Sequence, residues 1–126
     1  YEAKINDTDV KLWGTGRSLR EFTYTDDIAE ALVFLLENYD GSSPVNIGNP
    51  TEYSIKDIAE KISSILGFKN QIIWDSTKPE GQYRKPSSNK VMNNLGWSND
   101  RYTELDSGLR KTCEWFLNNY PNVRGY

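Results

Sequence analysis

The chain has 126 residues, a formal net charge of −3 and no histidine, a one-domain length able to bury roughly two-thirds of its unfolded surface. Hydrophobic residues make up 37% and the mean hydropathy is −0.73, so no run approaches the ~20 apolar residues of a membrane span, and a pI near 5.0 disfavours a polyanion such as nucleic acid. With no histidine and one cysteine, Cys113, the chain cannot assemble a disulfide framework or a Ser-His-Asp triad and is a poor candidate for zinc.

Residues 1–4 read as the end of a helix, and the chain opens on tyrosine, so the sequence is expected to be a piece of a longer protein. The polar start carries no signal peptide pattern, and the lone thiol fits a reducing cytoplasm. Residues 10–13 are β-prone and run into Gly14, which lacks a Cβ and permits a turn. A second short strand is expected at 22–24. Thr25, Asp26 and Asp27 then supply capping and first-turn residues for a helix with Ile28, Ala31, Leu32, Leu35 and Leu36 on its inner face, ended by Gly41. Capping is the role expected of Asp26 and Asp27, which have no carboxylate neighbour at metal-ligand spacing.

Residues 45–48 read as a strand closed by a Gly-Asn-Pro turn. Ser54 with Asp57 resembles a capping box. It opens a helix whose Ile55, Ile58, Ala59, Ile62, Ile65 and Leu66 form a stripe, stopped by Gly67. A strand follows at 71–75, then an irregular basic loop at 78–85. Ser87 or Ser88 is placed to cap a short helix reaching Leu95, with Gly96 behind it. The last helix starts near Thr103, turns Leu105, Leu109, Cys113, Phe116 and Leu117 inward, and stops at Pro121. Trp74, Trp97 and Trp115 fall on strand or helix faces and are expected in the core. The alternation predicts an α/β class with more helix than strand.

Two segments carry chemistry. Trp13-Gly14-Thr15-Gly16-Arg17-Ser18-Leu19-Arg20-Glu21-Phe22 and Lys78-Pro79-Glu80-Gly81-Gln82-Tyr83-Arg84-Lys85 lie about sixty residues apart. Each sets cations beside residues that force the backbone to turn, against an acidic background. That pattern points to a small anion, and arginine's planar fork suits a diphosphate. Arg17, inside the first turn, ranks behind Arg20, Arg84 and Lys85 as a phosphate contact. No Gly-x-Gly-x-x-Gly, Tyr-x-x-x-Lys or Walker loop is present, so no dinucleotide site of the usual kind is expected.

The order Trp-Gly-x-Gly-x-x-x-Arg-Glu-Phe followed by Asp26-Asp27-Ile28-Ala29 resembles the C-terminal part of extended short-chain dehydrogenases that act on nucleotide sugars. The tryptophan of the first turn and Lys78-Pro79-x-Gly81-x-x-Arg84-Lys85 narrow that resemblance. With Asn46-Ile47-Gly48, Ser54-Ile55-x-Asp57-Ile58-Ala59 and Leu95-Gly96-Trp97, they are similar to the GDP-L-fucose synthase family along essentially the whole chain. The resemblance implies that residues 1–126 are a small nucleotide-sugar (substrate) binding domain, with the Rossmann domain lying elsewhere. It implies an NADPH-dependent epimerisation and reduction of GDP-4-keto-6-deoxy-D-mannose to GDP-L-fucose, with NADP(H) and every catalytic group supplied by the other domain. It also implies a parent that is cytoplasmic and homodimeric through that domain.

By position, the resemblance makes Trp13 and Arg20 contacts of the nucleotide sugar. Glu80 takes a position where the family usually has Asp, and its extra methylene shifts the carboxylate. Tyr83 stands where the family often has Pro, and either stacks on the base or shields the loop. Arg84 and Lys85 complete the substrate-binding set. Two alternatives stay open: a domain of another nucleotide-sugar epimerase, reductase or dehydratase, and a non-catalytic binding module of the same fold.

Overall fold

The computed structural model describes residues 1–123. They form helices α1 (Glu2–Ile5), α2 (Thr25–Asn38), α3 (Ile55–Leu66), α4 (Lys90–Asn94) and α5 (Leu105–Asn119), with strands β1 (Val10–Trp13), β2 (Leu19–Glu21), β3 (Glu52–Ser54) and β4 (Ile72–Asp75). The expected α/β class, richer in helix than strand, is the one observed. No helix among the described residues is long and apolar enough to cross a membrane.

β1 and β4 pair in parallel, from Val10 opposite Ile72 to Trp13 opposite Asp75. Parallel neighbours require a long crossover, and here it contains β2, α2, β3 and α3. Strand alternation turns Val10, Leu12 and Ile72 toward α3, where with Ile58, Ile62 and Leu66 they line an apolar hollow of about 300 Å³. The same alternation turns Trp13 outward, and its side chain is 68% exposed.

β2 pairs antiparallel with β3, Leu19 opposite Ser54 and Glu21 opposite Glu52. This strand lies three residues before the expected 22–24, because its limits are set by partners distant in sequence. At 22–24 the chain instead leads into α2: the Thr23 hydroxyl accepts the Asn49 N–H at 3.0 Å, and Tyr24 is the residue that precedes the helix.

α2 buries a different stripe from the one expected. Asp27 and Ala31 are buried with Phe34 and Leu35 half-buried behind them, while Leu32, Val33 and Leu36 are exposed. The helix is apolar on more than one side, so spacing alone cannot choose its inner face. Asp27 chooses it. Rather than capping its own helix, its carboxylate accepts the Thr103 N–H at 2.8 Å and the Thr103 hydroxyl at 2.7 Å, fixing α2 to the segment before α5.

Residues 45–48 form no ladder among the described residues. Val45 and Ile47 nevertheless keep the expected alternation and pack on the main core of Ala31, Met92, Trp97 and Tyr102. Trp97, 2% exposed, stands edge-on to Phe34 and Tyr102 with centroids 5.3 and 6.1 Å away, an arrangement favoured by ring quadrupoles.

α3 begins with the expected capping box. The Ser54 hydroxyl accepts the Asp57 N–H at 3.0 Å, and Asp57 accepts the Ser54 N–H at 3.1 Å. Its end is the expected Gly67, left-handed, with the Gly67 and Phe68 N–H groups bonded to the Ser64 and Ser63 carbonyls. α4 is not capped by Ser87 or Ser88. Asn89 precedes it and Ser87 bonds to Glu21. On α5, Cys113 is buried as expected, whereas Trp115 is 57% exposed and Leu117 is also exposed, so neither belongs to the core.

Candidate functional site

The two glycine-bearing segments meet. Gly14 and Gly16 take φ values of +79° and +74°, which L-residues with a Cβ rarely adopt. This turn carries the chain from β1 into β2. Gly14 N–H donates to the Asp75 carbonyl at 2.9 Å, and the Gly16 and Ser18 carbonyls accept the Lys56 and Ile55 N–H groups at 2.8 and 3.0 Å. The first turn is thereby anchored to β4 on one side and to the start of α3 on the other. Loop 78–85 then lies along β2: Leu19 N–H donates to the Tyr83 carbonyl at 2.8 Å, and Leu19 bridges Arg84 in parallel sense.

Arg20 ties the two segments side chain to backbone. One terminal nitrogen donates to the Leu19 carbonyl at 2.5 Å and to that of Tyr83 at 3.5 Å, and the other donates to the Gln82 carbonyl at 2.8 Å. Its guanidinium therefore sits at the junction, as the motif required, but most of its bonds among the described residues hold the loop. Nε–H and part of the terminal fork have no hydrogen-bond partner among the described residues.

Glu80 is the second tie. One carboxylate oxygen accepts the Thr15 hydroxyl at 2.5 Å and the Arg17 N–H at 3.1 Å, and the Ser18 hydroxyl donates to the Glu80 carbonyl at 3.4 Å. The Thr15 hydrogen bond, followed by backbone bonding from Arg17, holds the Glu80 carboxyl below its ordinary value. Arg17, Ser18, Glu80, Gly81 and Tyr83 enclose a polar cleft of about 420 Å³.

The remaining expected residues divide by strand face. Glu52 and Arg84 form an ion pair, with the Arg84 Nε and one terminal nitrogen 2.6 and 2.5 Å from the same Glu52 oxygen. The hydrogen bond to Glu52 raises the Arg84 value above that of an ordinary arginine. Alternation from the Leu19–Arg84 bridge and the Glu21–Glu52 pair puts this ion pair on the face opposite Arg20. Lys85, next along the loop, is exposed and without a hydrogen bond or ion pair among the described residues. Trp13 is an open ring, 68% exposed, and the Lys78 ammonium lies 5.8 Å from its centroid, within cation–π range.

Thus Arg20 and Glu80 meet at the junction, Trp13 stands beside Gly14 where the first turn begins, and the Arg84 fork is engaged by Glu52. Sequence reasoning missed the roles of Thr15, Ser18 and Glu52. The only signal for the first two was their position between Gly14 and Arg20; Glu52 gave none. Among the described residues no group of three or more His, Cys, Asp or Glu could hold a metal ion.

A family model described as the NAD dependent epimerase/dehydratase family matches residues 1–48. The chain is 43% identical over 94% of its length to a putative GDP-L-fucose synthase 2 of Arabidopsis thaliana, and covers 36% of that protein. It is 35% identical over 91% of its length to a GDP-L-colitose synthase of Yersinia pseudotuberculosis, covering 37% of it. Its fold matches a GDP-L-fucose synthetase of Naegleria fowleri, solved bound to NADP, at a TM-score of 0.92 and 33% identity, covering 98% of this chain and 39% of that one. The architecture is therefore part of the extended short-chain dehydrogenase/reductase fold. Within that class the chain is a homologue of GDP-L-fucose synthases, spanning between a third and two-fifths of the length of the relatives it matches.

The glycine turn after β1 does not have the form of a dinucleotide cradle. A pyrophosphate cradle of the usual kind runs from a strand through a glycine turn into a helix whose N-terminus faces the phosphates. Here the glycine turn after β1 leads into β2, and α2 starts only after that strand.

Proposed function

We propose that residues 1–126 form a nucleotide-sugar-binding domain of an enzyme acting as GDP-L-fucose synthases do, in the NADPH-dependent epimerisation and reduction of GDP-4-keto-6-deoxy-D-mannose. The observation that carries this reading is the junction itself, where Arg20 reaches the Gln82 and Tyr83 carbonyls across about sixty residues of sequence. Two segments with an anion-binding composition are made into one surface there.

In this reading Trp13, Arg20, Glu80 and Lys85 face the ligand. Arg20 offers its open N–H groups to the diphosphate, Lys85 adds charge and Trp13 offers a ring face and an indole N–H. Arg84 works through Glu52, fastening loop 78–85 to β3. The domain contributes binding and orientation: contacts remote from the reacting carbons hold the sugar productively. NADP(H) and the groups that move protons and hydride belong to the rest of the protein, which is cytoplasmic and homodimeric through that part.

Calorimetric titration of the chain with GDP, UDP and dTDP tests the reading. GDP is expected to bind tightest, and Arg20→Ala to weaken it by about tenfold or more, the worth of one charge-assisted hydrogen bond. Equal affinity for all three, or no binding, overturns it. The chain alone is expected not to oxidise NADPH in the presence of GDP-4-keto-6-deoxy-D-mannose. A second reading, a domain acting on another GDP-sugar, draws support from the likeness to the colitose enzyme and from Glu80, one of whose oxygens is already bound by Thr15 and Arg17. Titrating the protein with several GDP-sugars separates the two.

A further inference from the structure

Three arginines come near the junction, and the structure sorts them by what their forks already hold. Arg84 is committed to Glu52 on the far face. Arg20 is largely committed to three carbonyls. Arg17 differs from both. Its backbone N–H is bound to Glu80, and its Nε donates to the Thr15 hydroxyl at 3.1 Å. Thr15 in turn donates to the same Glu80 oxygen. The guanidinium is thus held along one edge, and its two terminal nitrogens have no hydrogen-bond or ion-pair partner among the described residues.

This half-tethered fork lines the cleft with Ser18, Glu80, Gly81 and Tyr83. Orientation by one edge lowers the entropy lost when the other edge binds, a gain a free surface arginine lacks. The charged side chains lining the cleft are Arg17 and Glu80, and a terminal nitrogen of Arg20 lies 4.0 Å from where a Cβ on Gly81 would stand, so two guanidinium groups face one carboxylate there although the chain is acidic. The Glu80 oxygen nearest Arg17 is already occupied by two donors, which limits its repulsion of an incoming anion.

We propose that Arg17 is a direct diphosphate contact, forming with Arg20 a two-arginine clamp across the cleft that Tyr83 walls. The proposal rests on the nucleotide-sugar reading above and names the cation that does what Arg84 was expected to do.

Calorimetry of the full chain with GDP, guanosine and inorganic pyrophosphate tests it, using wild type, Arg17→Gln, Arg17→Lys and Arg20→Ala. Arg17→Gln is expected to weaken GDP and pyrophosphate by about tenfold and guanosine by less than about twofold. Arg17→Lys is expected to recover only part of the loss, since an ammonium cannot form two parallel bonds. Unchanged GDP binding in Arg17→Gln alongside a loss in Arg20→Ala overturns the clamp and leaves the nucleotide-sugar reading standing. Equal losses for guanosine and GDP in Arg17→Gln also overturn it, because the residue would then be acting on loop structure. A wild-type chain that binds neither GDP nor pyrophosphate overturns both.

Discussion

Replacing Gly16 with alanine tests how tightly the first turn is fitted to its support. Gly16 holds φ at +74°, and a Cβ there would stand 2.7, 2.8 and 2.9 Å from Cη2, Cζ2 and Cζ3 of Trp74. Those atoms belong to a rigid ring on β4 that cannot swing aside like the end of a lysine. The left-handed backbone costs an alanine about 1 kcal/mol, and forcing carbon into a packed site adds about 1–3 kcal/mol. The sum is about 2–4 kcal/mol, which for a domain of this size lowers Tm by roughly 8–15 °C. Urea unfolding of wild type and Gly16→Ala measures the loss. Gly67→Ala is the control: its φ is +63°, with nothing within 4 Å of the added Cβ, so only the backbone term of about 1 kcal/mol applies. Trp74→Leu in the Gly16→Ala background should recover more than about 1 kcal/mol in a double-mutant cycle. If Gly16→Ala unfolds no more easily than Gly67→Ala, the turn does not rest on the Trp74 ring and the argument for its rigidity is wrong.

Asp27→Ala leaves the Thr103 N–H and hydroxyl without their buried acceptor, and should cost about 2–4 kcal/mol by chemical denaturation. A loss under about 1 kcal/mol would mean that water replaces the carboxylate. Ser54→Ala removes the cap of α3 and should cost about 1 kcal/mol, while Ser64→Ala, on the exposed side of the same helix, should be nearly neutral in the same assay. Because the folded state lowers the Glu80 value, its stabilisation is complete above the unfolded carboxyl value of about 4.3 and disappears as pH falls through the depressed folded value. The stability difference between wild type and Glu80→Gln should therefore be constant from about pH 5 to 8 and shrink below about pH 4. A difference that persists unchanged to pH 3 would show that the Thr15 bond does not depend on the charge.

Features set by neighbours in sequence were the legible ones. The capping box and Gly67 bound α3 correctly, and β1 and β4 fell where β-prone residues end in turns. Features set by distant partners were not. β2 sits where β3 and Arg84 can reach it rather than where its own residues are most β-prone, and the inner face of α2 depends on Thr103. Trp13 and Trp115 carry no local sign that their strand and helix turn them outward. The meeting of the two glycine segments was foreshadowed by their composition and motif. Which arginine is engaged was not, because engagement depends on partners far along the chain: Glu52 takes Arg84 and the carbonyls of residues 82 and 83 take Arg20.

The β1–β4 pairing sets the order in which the molecule can assemble. Val10 and Ile72, partners in register, are separated by sixty-two positions along the chain, so forming the pair closes a long loop at an entropic cost. Such non-local topology slows folding relative to a helical bundle of equal size. The first turn is fastened to Asp75 and the basic loop follows soon after it, so the junction depends on the same long-range closure as the β1–β4 pair. Any ligand that bound the folded junction and not the unfolded chain would raise the unfolding free energy by about 1.4 kcal/mol for each tenfold excess over its dissociation constant.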